Sequence, residues 1–392
     1  MKSRKLLMIP GPIEFEPEVM QSLAEPTTSH IAPDFVESFG HALDMMREVW
    51  LAPSGQPFVV AGSGTLAMDM AASNLVEPGD RVLVISTGYF GERYADLLSR
   101  YTRHVDVLHS ERGHAANSEQ IEQKLQSADY KLLTFTHVDT STGVMNDPKA
   151  IAGLGRRYGV LTVLDGVCSL AGEPMRQEEW GIDVAFTASQ KAIGVPPGLA
   201  LLMASPRAME AWRNRTSPVL NYYADWTNWL PIMEAYASRK PAYFGTPAVN
   251  LVKALETSLE KILEEGMENR FRRHQMIGKA FRSAIRAAGL DMIPSDESAA
   301  ANTMSAVCYP DGTDDQEFRQ AANAGGVILA GGLLSDIKKR YFRVGHMGST
   351  GTGDLLATVG AVESALRKTG FSIEPGQCLR AAQQVLVARD GE

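Results

Sequence analysis

The 392 residues are 44% hydrophobic and 21% charged, which gives a folded globular protein and excludes disordered or collagen-like classes. A formal charge of −8 and a pI near 5.6 provide no basic face for a nucleic-acid backbone. Three scattered cysteines, Cys168, Cys308 and Cys378, exclude a disulfide framework or a Cys-rich zinc site, and no metal is expected.

No run approaches the roughly 20 apolar residues of a membrane span. The apolar stretch at the start is cut off by Pro10-Gly11-Pro12, too early for a signal peptide, and Arg389-Asp390-Gly391-Glu392 is not a Ser-Lys-Leu type of address. A cytoplasmic protein is expected.

In chain order, apolar runs of strand length alternate with helical periodicity, the pattern of an α/β fold with a mostly parallel sheet. Strands are predicted over 57–61, 81–86, 104–108, 131–136, 160–164, 182–187 and 199–204. Helices are predicted over 65–76, 90–101, 118–126 and 147–158. From 250 to 288 the pattern is almost continuously helical, with Gly266 as a possible break. Strands over 304–309, 327–329 and 341–344, with helices over 314–324 and 352–368, then make a compact second unit. The tail from Gly376 to Glu392 reads as a short docking helix with a polar end. A chain of this length exceeds one core, so a large domain over 1–250 and a small α/β domain over 251–392 are expected.

Three positions carry chemistry when read together. Lys191 follows the apolar run Ile182 to Ala188 amid small or apolar neighbours, which would depress its pKa and make the amine nucleophilic. Asp165 closes the run Val160 to Leu164, at the strand ends where open α/β sheets bind ligands. Gly62-Ser63-Gly64-Thr65 joins a strand to a helix, so backbone amides and the helix dipole could receive an anion. A lysine, an acid for a pyridine nitrogen and a phosphate turn are the parts needed to hold pyridoxal phosphate.

Each has a plainer reading: Asp165 as a turn residue, Lys191 as a loop lysine, Ser63 or Thr65 as a helix cap. Gly62 to Ala67 also fits a GxGxxA dinucleotide fingerprint, but the next strand ends in Ser86-Thr87-Gly88, without the acid a ribose requires. Arg343 alternates with Phe342 and Val344, either as a surface residue or as a carboxylate clamp. Thr140-Ser141-Thr142-Gly143 is a hydroxyl-rich turn, Phe90 is a helix-start anchor or a stacking platform, and Cys168 is a small buried side chain rather than a nucleophile.

The ordered series Pro10-Gly11-Pro12, Gly62-Ser63-Gly64-Thr65, Thr140-Ser141-Thr142-Gly143, Asp165-Gly166-Val167-Cys168-Ser169, Ser189-Gln190-Lys191, Tyr243-Phe244-Gly245-Thr246-Pro247 and Arg343 to Gly348 resembles the alanine–glyoxylate/serine–pyruvate aminotransferases. These are class V members of the fold-type I pyridoxal-phosphate enzymes, and the resemblance runs from about Leu6 to about Lys368. It implies a seven-stranded, mostly parallel sheet between helices, with Lys191 bearing pyridoxal 5'-phosphate and Asp165 at the ring nitrogen. It further implies Ser63, Gly64, Thr65 and Gln190 at the phosphate, Thr140 at the phenolic oxygen and Phe90 on the ring face. Tyr243 and Thr246 would reach the phosphate of a second subunit in a homodimer, Arg343 would clamp the substrate carboxylate, and Gly11 would close over a small side chain.

The implied reaction takes an amino group from alanine, or from serine, to glyoxylate. Serine–pyruvate and 3-hydroxykynurenine transamination are the nearest alternatives. A cysteine desulfurase is more distant, because Ala330 to Ser335 lacks the loop cysteine it needs. A nicotinamide dehydrogenase and a cofactor-bearing protein without turnover complete the alternatives.

Overall fold

Runs of Val, Leu and Ile without polar alternation require cover on both faces. In the computed structural model, which describes residues 5–388, those runs form a sheet of β1 (Gln56–Ala61), β2 (Arg81–Ser86), β3 (His104–His109), β4 (Leu132–Thr136), β5 (Leu161–Asp165), β6 (Val184–Ala188) and β7 (Leu199–Ala204). Their order across the sheet is β1-β7-β6-β5-β4-β2-β3. Only β7 runs antiparallel to its neighbours. Strands β4 to β7 are buried at every position, whereas edge strand β3 has none fully buried and carries His104, Asp106 and His109, as an edge must to stay soluble.

The sequence reading of the sheet agrees to within two residues per strand. The largest shift is at β6, expected from Ile182. Gly181 at φ 73° ends a short helix there, the Ile182 amide closes that turn on Gln177 O at 2.9 Å, and Asp183 accepts from the Thr162 amide at 2.8 Å. Pairing with β7 therefore begins at Val184.

The helical stretch after residue 248 divides at Gly266 (φ 79°) into α3 (Val249–Glu265) and α4 (Met267–Ala287). Met267 and Phe271 belong to the core around the large sheet, while Ile277 to Ile285 belong to a second core. That second core covers one face of an antiparallel sheet of β8 (Met304–Cys308), β9 (Ala330–Gly331) and β10 (Tyr341–Gly345), with β10 central. The helix Gln377–Val387 docks on it through Cys378 and Ala382; the polar end expected after it lies outside the described residues from 389 onward.

The sequence reading had no strand at the start, yet Leu6–Leu7 pairs in parallel with Val327–Ile328, and Met8 enters the second core while Ile13 enters the first. The segment between them is pinned at both ends: Gly345 N donates to Met8 O at 3.1 Å, and Ile13 N donates to Gln190 O at 3.2 Å. Pro10 and Gly11 are thereby carried across the turn that holds Lys191. Among the described residues no helix is long and apolar enough to cross a membrane.

Candidate active site

Strands β1, β2, β4, β5 and β6 all end at one edge of the sheet, and the turns leaving them carry the candidate residues. After β6 the chain turns sharply. Ser189 accepts from Leu199 N at 3.2 Å and donates to Pro196 O at 2.8 Å, Gly194 N donates to Lys191 O at 2.8 Å, and Arg270 Nη2 donates to Ala192 O at 2.7 Å. Lys191 is thus fixed in a rigid loop, 8% exposed, with its Nζ donating to Pro10 O. Burial lowers its pKa, because an ammonium loses its hydration there.

Asp165 ends β5 and is 4% exposed, with the Val167 amide donating to Oδ1 at 2.9 Å. Burial raises its pKa to about 7; the charge of Asp139 adds to this, while Val167, Lys191 and Arg93 oppose it. Gly11, at φ 95°, roofs the lysine so closely that a Cβ there would lie 2.5 Å from Lys191 Cδ and 2.8 Å from Nζ. Only glycine fits.

Beyond β1, Ser63 precedes α1 (Gly64–Leu75) but makes no side-chain cap, so the capping role considered for it is not taken. A Cβ on Gly64 would stand 3.1 Å from Val167 Cγ2 and 3.2 Å from Ala188 Cβ. Thr65 is exposed, as is Ser63, and its hydroxyl accepts from Arg93 Nη2 at 3.1 Å. Gln190 is half-buried, with a buried Oε1 that has no partner among the described residues.

Phe90 opens α2 (Tyr89–Leu98) and is half-buried. Its amide donates to Asp139 Oδ2 at 2.9 Å, and Asp139 also accepts from Ser141 N at 2.9 Å and from Ser141 Oγ at 2.6 Å. Thr140 is buried, and its carbonyl accepts from Arg343 Nη1 at 3.1 Å. Arg343 Nε donates to Gly331 O at 2.8 Å, so the guanidinium is held by two carbonyls and, among the described residues, by no carboxylate. Phe342 and Val344 face the second core, which leaves Arg343 facing the site and not solvent.

Lys191, Asp165 and Arg343 lie close enough that the two other charges shift the proton affinity of the amine. Tyr243 and Thr246 do not join them within one chain: both are exposed, and the Tyr243 ring lies 5.3 Å from that of His30. Sequence reasoning missed Asp139, Tyr341 and Arg93. Asp139 before Thr140-Ser141 carries the Asx-turn signature that could have flagged it; nothing in the sequence singles out the other two.

The model for aminotransferase class-V matches residues 16–339. The chain is a class V aminotransferase. It is 40% identical to alanine–glyoxylate aminotransferase 1 of Saccharomyces cerevisiae over 89% of this chain and 93% of that protein. It is 32% identical to serine–glyoxylate aminotransferase of Arabidopsis thaliana, covering 98% and 95%. The crystal structure of an alanine–glyoxylate aminotransferase from Nostoc sp. superposes with a TM-score of 0.87 at 30% identity, covering 94% of this chain and 96% of that one. Aminotransferases of this class use pyridoxal phosphate and act on amino and 2-oxo acids, so the dehydrogenase alternative is set aside.

Proposed function

We propose that this aminotransferase moves the amino group of a small amino acid, alanine first and serine second, to glyoxylate, giving glycine and a 2-oxo acid. Pyridoxal 5'-phosphate would be held covalently on Lys191. One observation carries this reading: a buried acid and a buried amine follow two strands at one edge of the large sheet, and the buried Arg343 guanidinium of β10 reaches that edge by its bond to Thr140 O. The names of the yeast and plant relatives support glyoxylate as acceptor.

The residues present fit the cofactor. The first amides of α1 receive no bond from the Ser63 side chain and so are left for an anion, and Gly64 keeps open a cradle that a Cβ would crowd. Ser63, Gly64, Thr65 and Gln190 would hold the phosphate, Thr140 the phenolic oxygen and Phe90 the ring face. Asp165, whose pKa burial raises to about 7, would be drawn into its ionised form by a protonated ring nitrogen. Bound there, the cofactor supplies an electron sink for the pair left on the substrate Cα.

The chain does the rest. Arg343 pairs with the substrate carboxylate through the edge its two carbonyl partners leave open. Lys191 Nζ, whose proton affinity burial lowers, accepts the proton from Cα of the donor. In the second half-reaction it delivers a proton to Cα of the new amino acid. Pro10 and Gly11 roof this amine, exclude water and limit the side chain that fits. Two half-reactions on one site give ping-pong kinetics.

A homodimer accounts for the exposed apolar residues Leu220 (79%), Tyr222 (75%) and Tyr243 (64%), a patch that would otherwise meet water. Tyr243 and Thr246 would then reach the phosphate site of the second copy. Free Cys168, Cys308 and Cys378 suit a reducing, cytoplasmic setting. The test is a donor panel of alanine, serine and 3-hydroxykynurenine with glyoxylate and with pyruvate. Preference for alanine with glyoxylate is expected, and no turnover with any pair would refute the reading.

A further inference from the structure

A cofactor phosphate brings a charge of about −1.5 to −2 at neutral pH, and a helix N-terminus offsets only about half a unit of it. Every side chain assigned to that phosphate above is neutral: Ser63, Thr65 and Gln190, with Tyr243 and Thr246 from a second copy. Lys191 does not close the gap, since it is buried under Pro10 and committed to the covalent bond. A cation is missing from the cradle as assembled so far.

Arg93 stands at its rim. It lies on α2 three residues after Phe90, and its Nη2 donates to the Thr65 hydroxyl at 3.1 Å, bridging the ring-stacking helix and the phosphate turn. Among the described residues no carboxylate pairs with it, although acids flank it on the same helix. Those acids are engaged elsewhere: Glu92 accepts from Ser86 Oγ at 2.5 Å and pairs with His109 at 3.0 Å, and Asp96 pairs with Arg100 at 3.6 Å. An arginine that avoids its neighbouring acids and is held by a hydroxyl of an anion cradle keeps its remaining donors for the anion.

We infer that Arg93 is the cation of the phosphate site, reaching the cofactor's phosphate beside the Thr65 hydroxyl. This rests on the pyridoxal-phosphate reading above and adds to it a residue that carries charge where the others carry only hydrogen bonds. Its guanidinium also ties α2 to α1 once the anion is seated, so that Phe90 and the phosphate turn close on the cofactor together.

The test compares two ligands that differ only in the phosphate. Full-length protein stripped of cofactor is titrated with pyridoxal 5'-phosphate and with pyridoxal, as wild type, Arg93→Gln and Arg93→Lys. Arg93→Gln should weaken pyridoxal phosphate by about tenfold or more while leaving pyridoxal within about twofold, and Arg93→Lys should recover part of the loss. Inorganic phosphate should compete with the cofactor in wild type and compete less well in Arg93→Gln. Unchanged affinity for pyridoxal phosphate in Arg93→Gln would overturn the assignment. Equal weakening of both ligands would overturn it too, by showing that the change had displaced α2. A wild-type protein that bound neither ligand would instead remove the cofactor reading itself.

Discussion

Tyr341 of β10 donates its hydroxyl hydrogen to Ser141 O at 2.8 Å, in the turn that follows β4. The same oxygen accepts from the amides of Leu333 and Leu334 at 2.7 and 3.0 Å, so one buried hydroxyl fixes three segments around Arg343. Tyr341→Phe keeps the ring and removes all three bonds. At about 1 kcal/mol for each net hydrogen bond, a stability loss of about 1–3 kcal/mol is expected. Because Arg343 lies two residues on and leans on Thr140 and Gly331, KM for the 2-oxo acid should rise more than kcat falls. Denaturant unfolding together with steady-state kinetics checks both.

Arg343→Ala should raise KM for amino and 2-oxo acid alike, by roughly ten- to a hundredfold, the loss of a charge-assisted pair with the carboxylate common to both. Arg343→Lys should recover little, since Gly331 O and Thr140 O are spaced for a planar fork and not for a point charge. Affinity unchanged in the alanine variant would remove the clamp from the mechanism.

Lys191→Ala should lose the visible band of covalently held cofactor and slow turnover by about 10²–10⁴-fold or more, because bond and proton carrier disappear together. Borohydride treatment followed by peptide mapping should label residue 191 in wild type. Label on another lysine would displace Lys191 from its role.

The parts of this site that sequence could reveal are those fixed by strand ends. Asp165 and Lys191 each follow a run of Val, Leu, Ile or Phe whose burial on both faces determines where the strand stops. Strands β2 and β7 match their expected limits residue for residue for the same reason. Tyr341 and Arg93 were illegible because their partners, Ser141 and Thr65, lie 200 and 28 positions away, and the bond from the Phe90 amide to Asp139, 49 positions apart, was no easier to read than these. No local periodicity encodes such pairings. Leu6–Leu7 escaped notice likewise: two residues are too few for a strand pattern, and their ladder needs Val327–Ile328 already in place.

Acid should weaken the fold through its buried histidines. His137 and His346 are buried, which holds the pKa of each down at about 3, so the folded chain leaves them neutral where the unfolded chain binds protons. A group depressed in this way loses stability as pH falls below its unfolded value near 6.5, down to the folded value. Their contribution should therefore lower denaturation midpoints between pH 6.5 and 4.5, and His137→Asn should remove part of that fall. A pH dependence identical in wild type and His137→Asn across this window would contradict the buried, neutral state of His137.

Asp165→Asn separates what the site costs the fold from what it gives the cofactor. Burial raises the Asp165 carboxyl to about 7, so in cofactor-free protein the folded state holds a proton that the unfolded state releases above pH 3.8. The sign is opposite to that of the histidines: this group's penalty grows as pH rises from about 4 to 7 and is constant beyond. Removing the charge should make cofactor-free protein more stable at pH 8, with an upper limit of about 4 kcal/mol, and leave it unchanged at pH 4. Cofactor affinity and turnover should fall together in the same variant, because an amide cannot hold a ring nitrogen protonated. Thermal melts at both pH values, with and without pyridoxal phosphate, read both effects. A variant less stable at pH 8 without cofactor would show that Asp165 is held there by its hydrogen bond to Val167 and not opposed by burial.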